Sequence, residues 1–143
     1  MVKDIGLGDL DYMTSGGPNE EECSKLDGFR VKIVDVKIID DVSRYDNLGN
    51  ELPEGQEVPV KKIQLTTDEF GQELIGRKIF HIQSYSLKEK DGKWIVSLHE
   101  KSNTGQFLSK YKLDRFENAV GKEVVLVKKT NPNTKKSRLV ISI

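Results

Sequence analysis

Two histidines, one cysteine and 23 lysines and arginines are the side chains that could do chemistry or bind a charged ligand in this 143-residue sequence. Neither His81 nor His99 has another His or Cys at metal-ligand spacing, so no zinc site is expected. His99-Glu100 lacks the second histidine of a zinc-protease helix. Cys23 has no base close to it in sequence to turn its thiol into a nucleophile, and a single cysteine forms no disulfide within the chain. Asp40-Asp41 pairs two acids at the end of a strand-like run, where a solvated turn is the commoner role than a Mg2+ site. Gly6-Leu7-Gly8 neither follows a strand nor opens a helix, as a dinucleotide loop would. No Walker loop and no Gly-x-Ser-x-Gly elbow occurs. The expectation is a chain that is not an enzyme and holds no metal or cofactor.

Binding is better supplied than catalysis. The net charge is zero, yet it is unevenly laid out. Residues 1–60 carry 6 basic against 14 acidic side chains, and residues 61–143 carry 17 against 9. Such a split points to polyanion contact beside an acidic tail. Arg44 and Tyr45 open a long loop, while Lys62, Arg77, His81, Tyr85, Lys88 and Trp94 lie on or beside the central strand-like runs. His81 and Tyr85, four apart in one run, share a face. Lys128, Lys129, Lys135, Lys136 and Arg138 gather on the last hairpin, whose tip has little structural need for charge.

The elements that must position these groups read as mostly β. Phe29 to Val42 alternates, but its phase flips: Phe29, Val31 and Ile33 give way to Val34, Val36 and Ile38. A face switch within one strand requires a bulge or a bend. Residues 43–56 form a loop with Asn47, Gly49, Asn50, Pro53 and Gly55. Strands follow over Glu57–Thr67, Lys78–Leu87 and Lys93–His99, the last two joined at Asp91-Gly92, a strong hairpin signal. Ser102 then opens a helix with Phe107, Leu108 and Tyr111 on one face, and Asp114 with Glu117 marks a second short turn. Lys122–Lys129 and Ser137–Ile143 close the chain around Asn131-Pro132-Asn133. Residues 1–27, with four glycines and Glu20-Glu21-Glu22, read as an acidic flexible tail, leaving residues 28–143 as the folded domain.

With its bent first strand Gly28-Phe29-Arg30-Val31-Lys32-Ile33-Val34-Asp35-Val36, its helix after His99, and its closing pair around Val124-Val125-Leu126-Val127 and Leu139-Val140-Ile141, the chain resembles an OB-fold domain at the level of the superfold. A different small barrel or an α+β roll stays open. The resemblance implies a small barrel of five to six antiparallel strands with one short helical segment before the last two. It also implies single-stranded DNA or RNA as partner, gripped by cations for phosphates and flat side chains for bases. The acidic-apolar segment Asp4 to Met13 is similar to the partner-docking tails of single-strand-binding proteins, which implies a docked protein partner or a cover for the basic groove; a solvated tail without function stays open. The alternative is an interaction or assembly subunit without nucleic-acid binding. No run is apolar enough to span a membrane, and Met1-Val2-Lys3-Asp4 leads into an acidic stretch instead of a secretory signal, so the expected location is cytoplasmic.

Overall fold

The first strand bends where its hydrophobic phase flips. In the computed structural model, which describes residues 17–45 and 50–143, β1 runs from Arg30 to Ser43 and its pairing slips between Ile33 and Asp35. Before the slip, Arg30–Lys32 pair with β6 (Glu123–Thr130); after it, Asp35–Ser43 pair with β2 (Val58–Thr67). One strand thereby serves two halves of a sheet. β3 (Ile82–Ser86) adds beside β2, and β7 (Ser137–Ile141) beside β6. The order is β3-β2-β1-β6-β7, every neighbouring pair antiparallel. The two edge strands, β3 and β7, therefore run parallel to each other.

The short pieces follow local chemistry. β4 (Lys88–Lys90) and β5 (Lys93–Ile95) form a separate two-stranded ribbon. Its two-residue turn has positive φ at both Asp91 (52°) and Gly92 (76°), the primed-turn geometry that matches strand twist. β5 is shorter than the predicted run to His99. There the carbonyls of Ser97 and His99 accept from Ser102 Oγ at 3.1 and 2.7 Å, and Thr104 Oγ1 reaches Ser97 at 2.6 Å. These backbone acceptors serve the start of α3 (Asn103–Lys110) instead of a ladder. Ser102 is its N-cap and accepts from the Gly105 N–H at 3.0 Å. Gly105 must be glycine, because a Cβ there would lie 2.2 Å from the His99 carbonyl oxygen. A four-residue helix α2 (Gln72–Ile75) precedes β3, and a 3-10 turn spans Phe116–Ala119.

Phe107 of α3, Ile33, Leu65, Val124, Leu126 and Ile141 of the strands, and Leu26 are fully buried. Each such side chain contributes about 1.5–3 kcal/mol through burial. Phe107 stacks on Phe116 at 5.3 Å and meets Tyr85 at 5.7 Å.

Two expectations change. The boundary at residue 27 is wrong for its last stretch: Glu20–Leu26 is a helix, α1, with Cys23 and Leu26 at 0% exposure in the core. Asn19 caps it in a capping box with Glu22, and Arg77 fastens it by a two-pronged pair, Nε to Oε2 at 2.9 Å and Nη2 to Oε1 at 2.8 Å. An acidic run read as solvated is thus the polar face of a docked helix. The rest of the expected tail, and the loop residues Asn47 and Gly49, lie outside the described residues. Second, the described strands form an open five-stranded sheet plus a ribbon, with no ladder joining β3 to β7. No helix among the described residues is long and apolar enough to cross a membrane.

Candidate functional site

Where the sheet's two edges approach, a single side chain stands in for a ladder. The Gln83 carboxamide oxygen on β3 accepts from the Ile141 N–H on β7 at 2.8 Å. It also meets His81 Nε2 at 2.8 Å, while Gln83 Nε2 donates to the Tyr85 hydroxyl at 3.0 Å. Above this bridge runs an open groove of about 380 Å3, walled by residues 81–85 and 138–141, with Lys129, Asn103 and Ile143 also in contact.

Cations collect at one side of it. Lys129 and Arg138 are cross-strand partners in the β6–β7 hairpin, and both line the groove. They line a second, smaller hollow together with Lys136. The hairpin tip is ordered by Asn131, whose Oδ1 accepts from the N–H groups of Asn133 and Thr134 at 2.8 and 3.3 Å. That turn leaves Lys135 and Lys136 exposed at the tip. None of Lys129, Lys135, Lys136 and Arg138 forms an ion pair with an acid among the described residues. His81 is a different kind of group. Burial pulls its pKa below the ordinary value; the Gln83 hydrogen bond opposes this and the Arg138 charge adds to it. At neutral pH His81 offers a flat, uncharged ring.

The remaining predicted residues are dispersed. Tyr85 reaches the groove only from beneath: it is 3% exposed and packs against Phe107 and Phe116, so it is a core ring and no stacking platform. Burial pushes its hydroxyl pKa strongly up. Trp94 is half-buried against the core from β5. Arg77 is committed to Glu22 and to the Gly17 carbonyl. Lys128 faces α1, its Nζ 2.9 Å from Ser24 Oγ and its N–H 2.8 Å from Asp27. Lys62 pairs with Asp41 at 2.8 Å. Arg44 lines a hollow with Glu51, Glu54 and Glu57, a poor place for a phosphate. Tyr45 is exposed at the far end of β1, and Lys88 is exposed on the ribbon.

No family model matches the chain, and neither the curated proteins nor the solved structures contain a significant match. The site therefore rests on its own geometry.

Gln83 and Asn103 were missed at the sequence level. Gln83 was within reach of the same alternation that paired His81 with Tyr85, since it lies between them on that face. Asn103 follows the N-cap and carried no such signal. Among the described residues no three His, Cys, Asp or Glu side chains gather as a metal site would need.

Proposed function

We propose that this chain is a non-catalytic module that grips single-stranded DNA or RNA in the β3–β7 groove, on an OB-like, incompletely closed barrel. The observation that supports this reading most is a set of cations free of acidic partners among the described residues: Lys129 and Arg138 border the open groove, and Lys136 joins them in the smaller hollow they also line. Surface lysines paired across strands, as Lys61 and Lys62 are, serve the sheet; these do not. The barrel reading draws on the parallel approach of the two edges, on the bent β1 shared between both halves, and on the helix inserted before the closing hairpin. Phosphates fall to the cations. The neutral His81 ring and the exposed Ile82 side chain, both on the groove wall, supply apolar surface for bases.

Titration with labelled oligo-dT and oligo-rU tests this. Binding should fall steeply with salt, and Lys129→Ala/Arg138→Ala should flatten the log–log slope by about 1.4, two phosphate contacts' worth on a single strand. Lys88→Ala, on the β4–β5 ribbon and outside the groove's lining, should leave the slope unchanged. No binding at low salt overturns the reading.

One observation favours a second reading, an interaction or assembly subunit. The outer half of β1 leaves Ile38 and Val42 at 64% and 57% exposure, next to the exposed Val58 of β2. A concentration-dependent dimer in sedimentation, abolished by Ile38→Asp with no change in fold, would favour it.

A further inference from the structure

The outer half of β1 has a free edge, and the hydrogen-bond phase of the sheet fixes what that edge presents. The Leu87 N–H donates to the Lys61 carbonyl at 3.0 Å and the Thr67 N–H to the His81 carbonyl at 2.9 Å. Backbone groups alternate sides along an antiparallel strand, so the odd-numbered residues of β2 turn theirs to β3 and the even-numbered ones turn theirs to β1. The β1 partners of those even-numbered residues are Asp35, Lys37, Ile39, Asp41 and Ser43. Val36, Ile38, Asp40 and Val42 therefore point their N–H and C=O groups away from β2. β6 pairs with β1 only at Arg30–Lys32, and no strand among the described residues meets this edge beyond Ile33. The Val42 N–H on it is met at 2.8 Å by the Asp41 carboxylate, in place of a strand. Open pairing groups beside the exposed Val34, Ile38 and Val42 are a template for another strand.

We infer that the partner of this edge is a second copy of the chain, its β1 lying antiparallel across a two-fold axis at Ile39. The stretch Asp35–Ser43 is symmetric about Ile39, so this register uses its whole length and stops short of the part of β1 that β6 covers. Val36 and Val42 then exchange backbone bonds between copies, as do Ile38 and Asp40. On one face, Lys37 of each copy stands opposite Asp41 of the other. Lys37 has no acidic partner of its own among the described residues. On the other face Val36 meets Val42, and the two Ile38 side chains become diagonal neighbours about 7–8 Å apart. Asp40, opposite Ile38, keeps its ion pair to Lys61. An axis at Ile38 would set Asp35 against Asp41, and an axis at Asp40 would set that acid against itself; like charges directly opposite disfavour both. The inference rests on the assembly reading and supplies its partner and register. It uses no residue that lines the β3–β7 groove.

Sedimentation of charge variants tests the register. The parent should form a concentration-dependent dimer. Lys37→Glu alone sets acid against acid at two places, and Asp41→Lys alone sets cation against cation, so each should dimerise about tenfold more weakly or worse. An equimolar mixture of the two should recover a dimer near parental strength. In the mixed pair the changed residue of one copy faces the changed residue of the other, and an unchanged Lys37 faces an unchanged Asp41. Asp41→Lys also loses its contact with Lys62, a cost within the chain that mixing does not repair, so recovery reports the contact between copies. Ile39→Cys reads the axis without altering charge: under a mild thiol oxidant it should link to its counterpart much faster than Lys88→Cys does, with Cys23 buried in both. Equal rates of linking overturn the axis at Ile39. A dimer lost in Ile38→Asp but not recovered by mixing the charge variants keeps the assembly reading and overturns this inference alone. A parent that stays monomeric at every concentration defeats both.

Discussion

At the scale of the residue, Tyr85 and His81 show how one correct inference can carry two different roles. Alternation placed both on one strand face, and they are linked there through Gln83. What alternation does not report is depth. Tyr85 lies where α3 and the 3-10 turn bring Phe107 and Phe116 over the sheet, whereas His81 lies near the open edge. Tyr85 therefore belongs to stability. Tyr85→Ala should cost about 3–5 kcal/mol in denaturant unfolding, as for other large aromatic truncations in a core. Tyr85→Phe removes only the hydroxyl that accepts from Gln83 and should cost about 1 kcal/mol. Oligonucleotide affinity of the folded Tyr85→Phe chain should match that of the parent; a large loss would return Tyr85 to the binding surface. The same gap explains the lysines. Their number on the closing hairpin was legible, but Lys128 turns to α1 while Lys129 turns to the groove, and only the three-dimensional neighbours decide which.

At the scale of the element, the strands were legible and α1 was not. Turn chemistry at Asp91-Gly92, the phase flip in β1 and the Ser102 cap each act within a few residues, so local sequence carries them. α1 is seven residues long, too short to be helical on its own in water. Its stability comes from Arg77, 55 residues away from Glu22, and from the cavity that receives Cys23 and Leu26. The Arg77 hydrogen bonds, with the Asn19 N–H as a second cause, hold the Glu22 carboxyl at about 2, against 4.5 for a free glutamate. A lowered carboxylate pKa stabilises the fold above the unfolded value and loses that contribution as pH falls toward the folded one. α1 should therefore loosen between about pH 4.5 and pH 2. Cys23 reports this directly, because its thiol is shielded only while α1 is docked. Arg77→Ala should raise the rate of Cys23 modification by a dipyridyl disulfide at pH 7 by about tenfold or more. An unchanged rate would mean that the apolar contacts of Cys23 and Leu26 hold the helix without the ion pair.

At the scale of the whole molecule, the open question is what keeps the two halves of the sheet together along β3 and β7. The core beneath them is continuous, with Ile63, Tyr85, Leu126 and Ile141 all buried. The edges themselves share the Gln83 bridge where a ladder would otherwise run. Gln83→Ala strands the Ile141 N–H and removes the link to His81 and Tyr85. It should cost about 1–3 kcal/mol, the price of an unsatisfied part-buried donor. Hydrogen exchange at the Ile141 amide should quicken while the β6–β7 ladder amides keep their protection. Gln83→Glu separates closure from binding. A carboxylate accepts from both Ile141 and His81, and the Tyr85 hydroxyl turns to donate, so stability should stay within about 1 kcal/mol of the parent. The same carboxylate adds a negative charge to the groove beside Arg138, so oligonucleotide affinity should fall in low salt and recover part of the difference in high salt, where the added charge is screened. Loss of stability in Gln83→Glu equal to that in Gln83→Ala would show that the cost of burying a carboxylate at this part-buried bridge cancels the acceptors it supplies.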